Sequence, residues 1–164
     1  MAEQNKLDFI TKDVKRRAKI AARKTAKKVT ADIQKMYKET VTEFYDHYDP
    51  SSYKRTFSTY EGSDGYGKEN FDPIEVGDDY LAGIEVSPSN IEGDPYEADK
   101  DYVFERTFVK GIHGFTPEEA EQYNSVKGIT PMSPPPEKVL EKKIKDYVAE
   151  DKIKTIFEQM FKEG

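Results

Sequence analysis

Two histidines, His47 and His113, are the side chains best suited to acid–base or metal chemistry near neutral pH. His47 stands near Asp46 and Asp49, but this spacing matches no recognised set of metal ligands. The chain contains no cysteine, which excludes thiol catalysis, disulfides and Cys-ligated zinc or iron–sulfur centres. We therefore predict no metal site.

Acidic pairs and a glycine-rich run are the other features that could support chemistry. Asp78 with Asp79, and Asp99 with Asp101, are close in sequence, but the alternating acids, central Gly and distal Glu of a calcium loop are missing. The run Gly62–Gly67 matches neither the phosphate-binding loop nor the dinucleotide fingerprint. No serine lies in a Gly-x-Ser-x-Gly turn. The sequence predicts no catalytic residue, no cofactor and a protein that is not an enzyme.

Charge is distributed unevenly along the 164 residues. Residues 1–42 have a net charge of +7 and residues 43–105 one of -13, whereas the rest of the chain is neutral and the total is -6. Opposite charges on two parts of one chain favour contact between a basic part of one copy and an acidic part of the next. We predict a homo-oligomer, with Asp78 and Asp79 among the acidic interface residues.

The basic part is densest in the stretch that runs from residue 15 to residue 28. Its candidate interface residues are Lys15, Arg16, Arg17, Arg23, Lys24, Lys27 and Lys28. Such residues would neutralise the phosphates of nucleic acid, but the stretch has no residue that reads or stacks on bases. Docking on an acidic protein surface is the first interpretation, and contact with DNA is the alternative.

A long helix is predicted over residues 8–48, which contain no Gly or Pro and repeat small or apolar residues every three or four positions. A helix of this length would be about 60 Å long, more than the width of a domain of this mass. Its apolar stripe is mostly Ala before Val29 and bulky after it. We expect the second half to pack on the body and the first half to lie at its edge.

The middle of the chain, residues 53–115, is predicted to hold a small sheet and long loops. Tyr80–Ser87 has the alternation and composition of a strand, and residues 58–79 have the Gly and Pro content of a long loop. Tyr102–Phe108 permits either a strand or a short helix; the four-residue spacing of Phe104 and Phe108 and the stop signal at Gly111 favour the helix.

The C-terminal part of the chain is predicted to be a Pro-rich connector, residues 116–136, followed by an amphipathic helix over residues 137–163. Pro136 stands at the first turn, where helices accept proline. The whole chain is thus predicted to be a single α+β domain with a long N-terminal helix, a small antiparallel sheet and a C-terminal amphipathic helix.

The composition is poor in core material, with 35% hydrophobic and 35% charged residues. We expect a thinly cored domain that is stabilised by partners. No stretch has the ~20 apolar residues that cross a bilayer, so no membrane contact is predicted and a soluble, cytoplasmically made protein is expected.

Two segments resemble the small neck or tail-completion proteins of long-tailed phages. The first is Phe44-Tyr45-Asp46-His47-Tyr48-Asp49-Pro50-Ser51-Ser52-Tyr53-Lys54-Arg55-Thr56, and the second is Phe108-Val109-Lys110-Gly111-Ile112-His113-Gly114. In that family a long N-terminal helix also runs into an aromatic turn before a small sheet. By general layout the resemblance covers residues 8–60, 100–115 and 131–163.

This resemblance implies a non-enzymatic virion protein that is assembled in the host cytoplasm and forms a ring at the head–tail junction. Connector proteins would lie on one side of the ring, and the tail tube or terminator on the other. In the aromatic turn, Tyr45, Tyr48 and Tyr53 are expected to pack around Pro50 while Arg55 pairs with a nearby carboxylate. Tyr48, Tyr53 and Arg55 are therefore further interface candidates.

Overall fold

The computed structural model describes residues 2–47, 71–75, 77, 80–88, 99–122 and 130–163. These residues are mostly helical, with one small antiparallel sheet, so the broad α+β prediction agrees with the structure.

Helix α1, Ala2–Asp46, contains 45 residues and confirms the predicted long helix, although it starts six residues earlier than predicted. At about 1.5 Å per residue its length is about 68 Å. Inside it, the hydroxyls of Thr40 and Thr42 donate hydrogen bonds to the carbonyl oxygens of Met36 and Lys38, both at 2.8 Å. Bonding back to the preceding turn satisfies these hydroxyls within the helix.

The C-terminal segment forms two helices, which corrects the prediction of a single helix over residues 137–163. Helix α4, Pro136–Ala149, begins at the proline expected in its first turn, and helix α5 is Lys152–Glu163. Asp151 has a positive φ of 53°, and one residue in this left-handed conformation interrupts a right-handed helix. The amphipathic pattern continues across the break, so periodicity alone did not show it.

Helices α4 and α5 run antiparallel to α1. Three hydrogen bonds show this direction. They join Lys143 to Glu43, Tyr147 to Asp32, and the backbone of Phe161 to Arg17. As the numbers rise along the C-terminal helices, their partners in α1 fall. The last turn of α5 therefore lies beside Arg17.

The core covers the second half of α1, as predicted. Tyr37, Val41, Phe44 and Tyr45 of this half are at most 3% exposed, and they form one cluster with Phe108 and Leu140. A second cluster joins Val29, Ile33 and Tyr147.

The Ala-rich first half is covered more fully than expected. Ala21 is 0% exposed, Thr25 and Ala26 are also buried, and α5 lies along this half of α1. Small side chains allow two helix backbones to approach closely, so an Ala stripe is compatible with a helix interface although it buries little area.

The sheet is shorter than predicted and includes a segment predicted as loop. Strands β1, Asp72–Pro73, and β2, Ile84–Glu85, are antiparallel. The predicted strand Tyr80–Ser87 was therefore wrong except for two residues, and β1 lies within the predicted loop 58–79. One reason is that the backbone N–H of Gly83 donates to the hydroxyl of Thr30 in α1, at 3.1 Å, and so is not available to a longer ladder.

Two short helical elements lie between the sheet and α4. Helix α2, Lys100–Phe104, continues as a π-helical turn, Glu105–Val109, which confirms the helix predicted here. Helix α3, Pro117–Gln122, falls inside the predicted connector and was missed because six residues show no periodicity.

Arg106 ties the π-helical turn to α3. Its guanidinium donates two hydrogen bonds to the Glu119 carboxylate, and the backbone N–H of Thr116 donates a third to the same group at 2.8 Å. The hydrogen bonds from Arg106 and then from Thr116 lower the pKa of Glu119 from 4.5 to about 2.

The lowered pKa predicts a specific acid sensitivity. Because ionised Glu119 is favoured by folding, its stabilising contribution is complete above pH 4.5 and is lost as the pH falls toward 2. We expect Glu119→Gln to make the unfolding free energy less dependent on pH in this window, measured by urea titration at pH 2–6. Glu121→Gln, an exposed change on the same helix, is the control and should follow the unchanged chain. Equal pH curves for Glu119→Gln and the unchanged chain would contradict the prediction.

Candidate functional site

A stripe of basic residues runs along the exposed side of the first half of α1. Its members are Lys12, Arg16, Lys19, Arg23 and Lys27, and all five are exposed. Steps of three or four residues place them on one helix face, over a length of about 22 Å. We call this set the basic stripe. Three of the predicted interface residues, Arg16, Arg23 and Lys27, lie in it.

The same face of α1 is covered farther along the helix. It continues through Thr30, Ile33, Tyr37 and Val41, which are all buried. At the boundary, an open depression of about 400 Å³ lies between α1 and the β1 segment. The basic stripe thus ends where the sheet begins.

Arg17 is engaged inside the molecule rather than in the stripe. Its guanidinium donates a 3.0 Å hydrogen bond to the carbonyl oxygen of Phe161 and lies 5.0 Å from the centre of that ring. A cation here satisfies a carbonyl at the end of α5 and also opposes the negative end of its dipole. Arg17 therefore fastens the end of α5 to α1.

This contact predicts unequal effects for two neighbouring arginines. Arg17→Gln is expected to lower the unfolding free energy by about 1–2 kcal/mol, because a hydrogen bond, a cation–π contact and a helix-end charge are lost. Arg16→Gln should cost under about 0.5 kcal/mol, since Arg16 pairs with Asp13 at the exposed surface. Urea denaturation of both variants measures the difference. Similar losses would contradict the role of Arg17.

Lys28 also has an internal partner. It donates to Asp32 at 2.7 Å, and the hydroxyl of Tyr147 donates to the other carboxylate oxygen of Asp32 at 2.8 Å. Burial and the hydrogen bond to Asp32 raise the pKa of Tyr147 to about 12. Burial would raise the pKa of Asp32, but the bonds from Lys28 and Tyr147 together hold it below its usual value. This network connects α1 with α4.

The remaining predicted interface residues fall into two groups. Lys15 and Lys24 are exposed on α1, outside the basic stripe. Tyr48, Tyr53, Arg55, Asp78 and Asp79 lie outside the described residues, and their roles stay predictions.

The structure also shows an apolar surface that sequence reasoning missed. Phe9, Ile10 and Val14 are 72%, 48% and 46% exposed. They belong to residues 2–16 of α1, which precede the contact between Arg17 and the end of α5; we call this part the overhang. Ile10 and Val14 continue the helix face of Ala21 and Thr25, which α5 covers. The sequence did contain a sign of this surface, because the apolar stripe of α1 is longer than the C-terminal helix that could cover it.

Both histidines have contacts that suit a structural role. The centre of the His113 ring lies 6.3 Å from that of the Phe44 ring and 5.8 Å from that of the Tyr45 ring. His47 donates from Nε2 to the carbonyl oxygen of Thr130 at 3.3 Å. The two segments that carry the phage resemblance therefore meet at the end of α1.

Within the described residues, no group of three or more His, Asp or Glu side chains is arranged to hold a metal ion. In that same part of the chain, no helix combines the length and hydropathy needed to span a membrane.

Comparison with known proteins gives a family. Searches against curated proteins and against solved structures found no significant match. The sequence profile of the YomN family matches residues 6–163, which is nearly the whole chain and includes most of α1, the sheet and both C-terminal helices. This chain therefore belongs to the YomN family and is a phage-associated protein.

Proposed function

We propose that this chain is a structural protein of the phage virion that acts at the head–tail junction. Copies of it form a ring that contacts connector proteins on one side and tail proteins on the other, and it catalyses no reaction. The observation that carries the proposal is the overhang, which presents apolar and basic side chains beyond the end of α5.

An overhang of this kind is explained most simply by assembly. Phe9, Ile10 and Val14 expose apolar side chains that a neighbouring protein would remove from water. Helices that lay an apolar face on a partner are a common mode of recognition. Membership of a phage-associated family makes a virion the setting in which such a partner is expected.

Removing the gene from its phage is the direct test. We expect electron microscopy to show full heads and separate tails, or tails that end abnormally, and plaque formation should fall sharply. Supplying the unchanged chain from a plasmid should restore joined particles. Normal, infectious particles without the chain would refute the proposal.

The overhang can be tested in the same complementation assay. Ile10→Gln with Val14→Gln should fail to restore joined particles, because the apolar contact is lost. Val148→Gln is the matched control: Val148 is 55% exposed on α4, away from the overhang, and this variant should complement fully. Complementation by both variants would separate the overhang from the proposed role.

A second function is favoured by the basic stripe. Five exposed cations in line over about 22 Å resemble the electrostatic footprint of a nucleic-acid-binding helix. On this alternative the chain is an accessory protein that binds the phosphate backbone of DNA.

Salt dependence tests this alternative. Binding to duplex DNA would be titrated at 50 and 200 mM salt for Lys12→Gln/Lys19→Gln/Lys27→Gln and for a control, Lys142→Gln/Lys145→Gln/Lys154→Gln, which removes three exposed lysines from α4 and α5. If the stripe contacts phosphates, the first variant reduces the slope of log affinity against log salt by about 2.7, and the control leaves it unchanged. Equal slopes for both variants would exclude the stripe as a DNA site.

A further inference from the structure

The basic stripe is strongly positive and has an exposed aromatic ring beside it. Residues 9–31 of α1 include nine Lys or Arg and one acidic residue, Asp13, which pairs with Arg16. At about 100° per residue, the five members of the stripe lie within an arc of about 80° of the helix surface. Phe9, which is 72% exposed, lies in the same arc. A surface that covers the stripe and this ring therefore needs carboxylates and an exposed apolar side chain.

The sheet segment of the chain, residues 71–88, has the opposite charge. It contains five acidic residues and no Lys or Arg, and we call it the acidic hairpin. Three of its residues are half-buried and pack on the core clusters, namely Ala82, Ile84 and Val86. Leu81, which is 57% exposed, and Glu85, also exposed, alternate with these three. Successive side chains of an extended segment point to opposite sides, so Leu81 and Glu85 lie on the side away from the core, which we call the outer side.

The outer side also carries a pair of like charges. Asp72 and Glu85 are direct partners in the antiparallel register, and both are exposed. Directly opposite residues share one side of a sheet, and like charges in these positions repel each other. A cation that approaches the outer side relieves this repulsion.

The spacing of these groups matches that of groups on the stripe. Leu81 is four residues before Glu85, or about 13 Å along an extended segment. Phe9 is seven residues before Arg16 and ten before Lys19, or about 11 and 15 Å along α1. With the two apolar side chains in contact, Arg16 and Lys19 lie just before and just beyond Glu85. Both cations are then within reach of the paired carboxylates.

The stripe and the outer side of the same chain cannot meet. The acidic hairpin is attached to α1 by its inner side, where the backbone N–H of Gly83 donates to the hydroxyl of Thr30 and Ala82 packs on the second cluster. The outer side therefore points away from the helix that carries the stripe. Lys27 does lie near its own hairpin, but at the depression that it lines with Glu75. Contact with the outer side must join different copies.

We propose that the basic stripe of one copy docks on the outer side of the acidic hairpin of a second copy. In this contact Arg16 and Lys19 face the carboxylates of Asp72 and Glu85, and the Phe9 ring covers Leu81. Each hairpin is then held between two α1 helices, its own on the inner side and its neighbour's on the outer side. Two different surfaces make the contact, so it is head-to-tail and generates a closed ring or an open helical array.

This inference rests on the proposed function and names the contact that builds its ring. It leaves a second surface of α1 for other virion proteins, because Ile10 and Val14 lie about 100° or more around the helix from the arc of the stripe. A second copy also suits the stripe better than duplex DNA does. A phosphate backbone would pair with the cations but would leave the Phe9 ring in water.

Reciprocal charge reversal tests the contact with the full chain in solution. The stripe variant is Arg16→Glu/Lys19→Glu, and the hairpin variant is Asp72→Lys/Glu85→Lys. Sedimentation at about 50 mM salt should show oligomers of the unchanged chain and association at least about 100-fold weaker for each variant alone. Mixing the two variants should restore association, because each reversed surface then meets an opposite charge.

Matched variants separate lost docking from lost folding. Lys142→Glu/Lys145→Glu reverses as many exposed charges on α4 and should leave association unchanged. Phe9→Gln removes the apolar contact without changing charge and should weaken association about 10-fold, whereas Val148→Gln, at a site 55% exposed on α4, should not. Helical circular dichroism of each variant checks the fold.

Three results would each overturn the docking. They are an unchanged chain that is monomeric at about 100 μM, reversed variants that associate as the unchanged chain does, and a mixture of folded reversed variants that does not associate. If the unchanged chain is monomeric and the stripe variant loses duplex binding, the stripe serves nucleic acid instead.

The gene-deletion test is independent of these results. Joined heads and tails without the chain refute the proposed function. Failed docking together with unjoined particles leaves that function in place and assigns the ring to other surfaces.

Discussion

Replacing Tyr37 with alanine is expected to lower the free energy of unfolding by about 3–5 kcal/mol. Tyr37 is 0% exposed at the centre of the core cluster, and its ring lies 5.4 Å from that of Phe71 and 6.3 Å from that of Phe108. It therefore holds the segment before β1 and the π-helical turn against α1. The small core of this chain leaves few other side chains to fill the cavity.

Equilibrium urea denaturation measures this loss, and Tyr37→Phe is the matched control. Phenylalanine keeps both ring contacts and removes only the hydroxyl, so its cost should stay below about 1.5 kcal/mol. A loss under about 1 kcal/mol for Tyr37→Ala would show that the core does not depend on this ring.

Gly111→Ala is expected to cost about 3 kcal/mol, for two separate reasons. Gly111 has a φ of 68°, in the left-handed region that other residues enter at a cost. A Cβ atom there would also lie 2.7 Å from the carbonyl oxygen of Met132 and 3.2 Å from Pro135. Since Met132 donates its backbone N–H to Gly111 at 2.8 Å, the methyl group would push apart two segments that are hydrogen-bonded.

Gly114→Ala separates the two reasons. Gly114 also has a positive φ, of 90°, but it is exposed. Its substitution should carry the backbone cost alone, about 1 kcal/mol. Thermal and urea unfolding of both variants measure the difference, and equal costs would show that the contact with Met132 is unimportant.

The helices were predictable where a long periodic pattern faces a continuous core. In α1, the bulky residues after Val29 predicted the buried face, and Pro136 predicted the start of α4. The same reasoning could not find the break at Asp151, because the apolar spacing of α4 continues into α5. A single residue in the left-handed conformation is decided by local geometry, which periodicity does not report.

The sheet was less predictable because its contacts are distant in sequence. Tyr80–Ser87 has strand composition, yet Gly83 donates its hydrogen bond to Thr30, 53 residues earlier. Strand propensity depends on such neighbours more than on the residues themselves. For the same reason, β1 within a Gly- and Pro-containing loop could not be found without its partner.

The interaction surface was predictable in charge but not in detail. Counting charges identified the basic part of α1. The count could not distinguish Arg17, which binds the end of α5, from the exposed cations of the basic stripe. The exposed Phe9, Ile10 and Val14 were counted with the apolar stripe because the sequence does not state where α5 ends. The antiparallel packing of α5 shows that the apolar stripe of α1 extends beyond the end of α5.

The unbroken course of α1 makes it a molecular ruler. Because no Gly or Pro interrupts it after Ala2, the distance and the rotational angle between its two ends are both set by the number of residues between them. Adding one residue would turn the leading end by about 100°, whereas adding seven would lengthen it by about 10 Å and nearly restore the angle. Natural length variants of this helix should therefore differ by steps that preserve its angular phase.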